Sequence, residues 1–364
     1  MPTTTRILAG AGLLCLIAVP VLAAANDIPT ASLHALDGMA PAGHWAGRLT
    51  VLRNGYDRRY DDDGHRVDYD QGYDGLNLAA LGLAGTLNLD TKVVTEYGEL
   101  MFGYGVTEDL TVGAIVPFAR TRTKLRMSVD GGIGSDGLQA VLTGVLGYKP
   151  LRSTESSGLG DPTVGALWRF HKSERDSAIA GFGVRFGVSP ADDPDDLADV
   201  PPGDGSTDLR YRLEYFRDLG AGFDLRLLAE YQVQLADEVT LRPGNPLTTA
   251  TKERLERNLG NYWEWDMELG KSIGDWRVSA TWHRYQERPD RYTSKIGTDT
   301  SFLSANTDTL ADQYRVGVTW SGVNAWRAGR IPLPLIVKLE MQDAFRGRNF
   351  VDVRDVYLRV TSFF

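Results

Sequence analysis

The segment Phe223-Asp-Leu-Arg-Leu-Leu-Ala-Glu-Tyr-Gln-Val-Gln-Leu235 decides the fold. Its odd positions, Phe223, Leu225, Leu227, Ala229, Tyr231, Val233 and Leu235, are apolar. Its even positions carry Asp224, Arg226, Glu230, Gln232 and Gln234, with Leu228 the exception. In extended backbone successive side chains point to opposite faces, so this segment is a strand with one apolar and one charged face. One such strand would suit a soluble sandwich equally well.

The pattern recurs, and recurrence separates the two folds. Trp263, Trp265, Met267 and Leu269 alternate with Glu264, Asp266 and Glu268. Trp276, Val278, Ala280 and Trp282 alternate with Arg277, Ser279, Thr281 and His283, and Tyr314, Val316, Val318 and Trp320 with Arg315, Gly317, Thr319 and Ser321. Aromatics cluster at the ends of the apolar faces, where a membrane interface favours them. Strands are expected at about 44–53, 93–104, 109–122, 160–171, 177–189, 206–217, 222–236, 260–271, 274–287, 310–322, 331–343 and 351–364. The fold class expected is therefore all-β: a transmembrane antiparallel up-and-down β-barrel of about 12 strands, or 14 if the apolar loop segments add a pair.

Loop lengths support this topology. Links at 106–108, 171–176, 219–222 and 272–274 are short; those at 54–92, 123–159, 190–205, 237–259 and 288–309 are long. The late links 323–330 and 344–350 depart from the alternation. Barrels have short periplasmic turns and long external loops, whereas a sandwich has no reason to put its long loops on one side.

The ends agree. Residues 1–25 read as a secretory signal peptide: Arg6, an apolar run through Leu22, then Ala23-Ala24-Ala25 as cleavage site. Cys15 lies in that run, so the processed chain has no thiol chemistry. Residues 26–43 read as a periplasmic N-terminal segment or a plug threading the lumen, and 44–364 as an outer-membrane barrel. Phe364 ends an alternating last strand, resembling the signal by which the outer-membrane assembly machinery recognises barrels.

The chain has 364 residues and a net charge of −9, with a mean hydropathy of −0.24. No stretch after residue 25 approaches the roughly 20 apolar residues of a spanning helix. The acidic balance argues against nucleic acid as partner. Outer-membrane lipid, lipopolysaccharide and a small-molecule substrate are the partners expected, with no cofactor.

Two stretches resemble a known family. Phe102-Gly-Tyr-Gly-Val-Thr-Glu-Asp-Leu-Thr-Val-Gly-Ala-Ile-Val-Pro-Phe118 and Gly158-Leu-Gly-Asp-Pro-Thr-Val-Gly-Ala-Leu-Trp-Arg-Phe170 are similar to the outer-membrane family associated with phenol meta-cleavage pathways. The resemblance covers most of the processed chain in layout and implies a channel for uptake of aromatic or hydrophobic compounds. It carries over no functional residues.

With the polar face inward, the lumen is charged. Its basic residues are Arg48, Arg169, Arg185, Arg210, Arg212, Arg226, Arg277, Arg315, Lys338 and Arg359. Its acidic residues are Glu99, Glu214, Asp224, Glu230, Glu264, Asp266, Glu268, Glu340 and Asp355, and His283 shares this face. Opposite signs on neighbouring strands pair across the lumen and close it to bulk flow, or line a selective aqueous path. Two loop segments, 76–87 and 138–147, are too apolar to float in water. Leu76, Leu78, Leu81 and Leu83 of the first, with Leu138, Val141, Leu142 and Val145 of the second, are expected to fold into the barrel mouth as short helices or hairpins lining an apolar binding region. The alternatives are packing on the rim and the extra strand pair. The acidic runs 61–63 and 192–196 lack the glutamate of a complete calcium loop and read as solvated loop charge.

No catalytic or metal site is expected. His34, His44, His65, His171 and His283 have neither metal-ligand spacing nor a serine placed as partner, and no Gly-x-Ser-x-Gly elbow occurs. The function expected is passive transport of a small molecule. The alternative is a closed structural barrel that binds a partner with its loops or sheathes an electron carrier.

Overall fold

The computed structural model describes residues 39–364. The signal peptide and most of the 26–43 segment lie outside that range. Among the described residues no helix is long and apolar enough to cross a membrane.

Twelve antiparallel strands close into a barrel: β1 (Trp45–Tyr56), β2 (Thr86–Thr107), β3 (Leu110–Asp130), β4 (Thr163–Lys172), β5 (Asp176–Arg185), β6 (Asp208–Gly220), β7 (Phe223–Gln234), β8 (Tyr262–Ile273), β9 (Trp276–Glu287), β10 (Thr309–Ser321), β11 (Leu335–Arg348) and β12 (Arg354–Phe363). Each pairs with its sequence neighbours, and β1 pairs with both β2 and β12, so no edge is left. Closure is what lipid demands, because an unpaired backbone group has no water there to bond. The seam is completed by Trp45 N–H donating to the Phe364 carbonyl at 2.7 Å and the reciprocal bond at 2.9 Å.

All twelve expected strands are present, and the short turns fall at one end. At Ala221-Gly222 both residues take positive φ, 51° and 78°, and a side chain on Gly222 would meet the Ser272 carbonyl. Between β10 and β11 the turn lengthens into a short helix, Val323–Arg327.

The largest departure concerns β2 and β3. They run for 22 and 21 residues, so 86–92 and 123–130, expected as loop, continue the sheet. At roughly 3.3 Å per residue and a 40° tilt, ten residues span the apolar band, and the remainder stands clear of the membrane. This extension pays out its alternation differently: Leu87 and Val129 are buried against loop residues instead of meeting lumen or lipid. The other long loops carry structure too. Segments Asp237–Leu241, Glu253–Asn258 and Arg291–Thr293 form a three-stranded sheet.

Outside the barrel the apolar face is bare. Trp168, Phe182, Leu213, Trp265, Met267, Leu269, Trp276 and Leu339 are among the exposed hydrophobics. Inside, the buried set is dominated by charged and polar side chains. A soluble protein has the reverse distribution.

Residues 39–43 lie against the inner wall near the turn end. Ala40 N–H donates to Thr111 Oγ1 at 3.0 Å, Gly43 N–H to the Gly105 carbonyl at 2.7 Å, and Ala42 bridges Gly105 in parallel. Any Cβ at position 105 would collide with Pro41.

Candidate functional site

The interior has two unlike walls. On β2–β5 the register aligns Gly103, Gly113, Gly165 and Gly183 in one row. The row continues directly into Arg210. The wall from β6 to β12 carries long charged side chains, and these pair.

The network can be followed from strand to strand. Asp224 receives Arg277, which also reaches Glu268 at 2.5 Å. Glu268 meets Lys338 at 3.4 Å, Lys338 meets Glu340 at 2.7 Å, and Glu340 meets Arg359 at 2.8 Å. Asp266 receives His283 Nδ1 at 2.7 Å and Arg315 at 3.4 Å. Glu214 receives Arg212 at 2.7 Å and also Arg226. Glu230 pairs with Arg210, and with Arg212 at 3.7 Å. Lys338 and Glu268 belong to strands separated by two others, so this contact is a chord through the interior rather than a neighbour pair. Buried charges survive when paired and hydrogen-bonded, and each carboxylate here has a cation.

Other expected lumen residues sit apart from this chain of pairs. Arg48 and Glu99 pair with each other at 3.2 Å on β1 and β2. Arg185 pairs with Asp208, and with Asp204 at 2.5 Å, at the loop end. Arg169 lies at the turn end, where it donates to the Glu108 carbonyl at 3.1 Å. Glu264 is tucked between Glu230 and Tyr285 in the register. Asp208 was not singled out in the sequence and Gln232 only as a polar-face position, yet both are fully buried and bonded to each other at 2.6 Å. Strand parity was the available signal for both: they share a face with Arg210 and Glu230.

Above the barrel the two apolar segments meet. Leu78, Leu87, Val129, Leu138, Leu142, Leu146 and Tyr148 form one cluster, with Leu76, Leu81, Leu83 and Val141 packed around it. Leu78–Leu81 is a 3-10 turn and Gly134–Ala140 a helix continuing into a π-turn at Val141–Val145. Val145 is the exception among the expected residues: it stands 69% exposed. The extra strand pair reduces to Leu76-Asn77 against Thr86-Leu87, leaving twelve strands.

This cluster reaches across the mouth. Leu247, from the β7–β8 loop, packs against it. Arg242 of the same loop donates to the Leu146 carbonyl at 2.8 Å and lies 4.0 Å from the Tyr148 ring centre. Six places round the cylinder separate β2 from β8, so these loops come from opposite sides. The acidic run 192–196 is held by the same clasp rather than left to solvent: Asp195 receives Arg242 at 2.5 Å and Lys252 at 2.7 Å, and Asp193 receives Lys149 at 2.6 Å.

Asp161, in the second stretch quoted for the family resemblance, is a further hub. Its carboxylate accepts from Val188 and Ser189 N–H at 2.9 and 2.8 Å and from Asp204 and Gly205 N–H, both at 3.1 Å. It binds the start of β4 to the β5–β6 loop, which no local pattern could reveal.

A closed cylinder with a bare apolar exterior, a paired ionic interior and long loops at one end defines an outer-membrane β-barrel. Within that class, the family model described as "Putative MetA-pathway of phenol degradation" matches residues 57–299, and the chain belongs to this family. An outer membrane channel from Pseudomonas putida F1 superposes with a TM-score of 0.58 at 14% identity, over 89% of this chain and 96% of that one, and shows the shared fold. The translocator domain of the autotransporter NalP from Neisseria meningitidis gives 0.44 at 10% identity, over 90% of each chain. A TodX mutant described as a monoaromatic hydrocarbon channel gives 0.41 at 9%, over 89% of this chain and 91% of that one. No curated protein matches the chain.

Proposed function

We propose that the chain is an outer-membrane channel through which small hydrophobic or aromatic molecules pass by passive diffusion. The observation that carries this reading is the apolar cluster built from 76–87 and 138–148, spanning the mouth above an interior crossed by ion pairs. Water and ions find no apolar welcome at such a cap, while an apolar solute does. The family description, which names phenol degradation, points to the same solute class.

In this reading the segments 76–87 and 138–147 act as an apolar lid, and the charged residues below it keep bulk electrolyte out. Transport needs no reaction, so no residue is given a catalytic role. Two measurements test the proposal together. Proteoliposomes should swell slowly in sugars and conduct poorly in planar bilayers. Intact cells supplied with a dilute radiolabelled monoaromatic compound should take it up faster with the chain than without, and the variant lacking 76–87 should lose that advantage. Uptake equal with and without the chain would sink the channel reading. Unchanged uptake by the deletion variant would sink the lid alone.

A further inference from the structure

The outer surface of β1–β3 breaks the pattern of the bare apolar belt. A groove of about 980 Å³ lies there, lined among others by Val51, Phe118, Leu159, Val356 and Leu358. The Phe118 ring lies over Gly98, where any Cβ would overlap it, so glycine lets the ring lie flat and shape the groove. Immediately above this apolar row, β3 presents Arg120, Arg122, Lys124 and Arg126 on its outward face, each two residues from the next. Arg53 joins them from β1, in a chain whose net charge is −9. Arg120 stands ten residues from the turn that starts β3. At roughly 3.3 Å per residue and a 40° tilt it reaches about 25 Å, the height of the apolar band, and so the outer headgroup level.

A second crevice of about 450 Å³ continues upward and is polar, lined by Lys149, Arg152, Ser153, Thr154 and Asp199 among others. Glu155 joins the two: it lines the crevice and receives Arg120 at 2.8 Å and Arg122 at 2.7 Å. These ion pairs are exposed, so they are weak and open to competition from a stronger anion. Arg122 also meets Glu96 at 3.8 Å and Arg126 meets Asp90 at 3.4 Å, while Arg53, opposite Glu96 in the register, and Lys124 have no ion pair among the described residues.

We propose that this surface is a specific binding site for lipopolysaccharide. The groove takes an acyl chain of lipid A. Arg120, Arg122, Lys124 and Arg53 take a glucosamine phosphate, for which arginine forks are suited. The polar crevice takes the sugars beyond. The tiers follow the order of chemistry along the lipid from membrane to exterior: apolar, anionic, hydroxylated. The site is on the outside wall and is independent of the transport reading.

The test uses the full processed chain, purified in detergent and stripped of lipid, with native mass spectrometry as readout. The probes are diphosphoryl lipid A, dephosphorylated lipid A and phosphatidylglycerol. Diphosphoryl lipid A should bind about tenfold more tightly than either of the others. Arg120→Ser/Arg122→Ser/Lys124→Ser should lose that preference, while Arg254→Ser/Arg291→Ser/Lys295→Ser, removing as many charges from the far loops, should keep it. Heat-modifiable gel mobility shows whether each variant is an assembled barrel, and the comparison of probes on the unaltered protein needs no variant. Equal binding of all three lipids overturns the proposal. So does a preference that survives in the assembled Arg120/Arg122/Lys124 variant.

Discussion

Glu340 and Leu142 are equally hidden from water, at 1% and 0% exposure, in regions of opposite chemistry. Glu340 sits inside the cylinder between Lys338 and Arg359. Leu142 sits above it, in the cluster shared by 76–87 and 138–148. Each region is built against its surroundings. Within the membrane the apolar side chains can face lipid, so the inside is left to polar groups, which must then satisfy one another. Outside the membrane the loops face water, and their order depends on hiding apolar surface. One chain thus holds a polar core where its outside is apolar and an apolar core where its outside is polar.

The comparison is sharpest if the two cores fail in different ways. Glu340→Ala leaves Arg359 without its carboxylate and Lys338 with Glu268 alone, and the barrel should lose up to about 3–5 kcal/mol. Denaturant unfolding in detergent, followed by tryptophan fluorescence, measures it; a loss under 1 kcal/mol would mean that the interior is wet enough to solvate the orphaned charges.

Leu142→Ala should cost about 2–5 kcal/mol, but locally. Hydrogen exchange should speed up across 76–89 and 133–148 while the barrel's unfolding midpoint stays in place. A global shift in midpoint would show that the two cores are one cooperative unit.

Asp161→Asn removes acceptors from a carboxylate that now serves four amides. Each orphaned buried donor costs about 1–3 kcal/mol, and limited proteolysis should open the loop 186–207 first.

The smallest effect is pH-dependent and confined to the loops. A hydrogen bond from Lys252, aided by Arg242, holds Asp195 below the ordinary carboxylate value, and Lys149 does the same for Asp193. Their contribution is full above about pH 4 and fades as pH falls through the lower folded values. Protection of the amides at 146–149, after correction for the intrinsic pH dependence of exchange, should therefore fall below pH 4 and stay flat between pH 5 and 8.

Much of the barrel was legible because its rule is local. Phe223–Leu235 shows the rule in thirteen letters, and alternation places Arg277 or Glu268 on the inner face whatever its neighbours are. The extension of β2 and β3 was not legible. Leu87, Leu89, Met127 and Val129 look like any apolar face, and the residues clustered with them, Leu78, Leu138 and Leu142 among them, come from two different loops. Nor could alternation tell that Asp208 is buried against Gln232, or that Arg242 crosses the mouth to the Leu146 carbonyl 96 residues away.

What the sequence determined by itself was facing, direction and a strand number of twelve or fourteen, since period-two patterning and loop length act within a few residues. What only the tertiary structure decided was partnership: which acid meets which base, and where the apolar loops land. Ion pairs and apolar contacts carry no address in sequence. Closure of the cylinder brings β8 within reach of β11 and one rim within reach of the other.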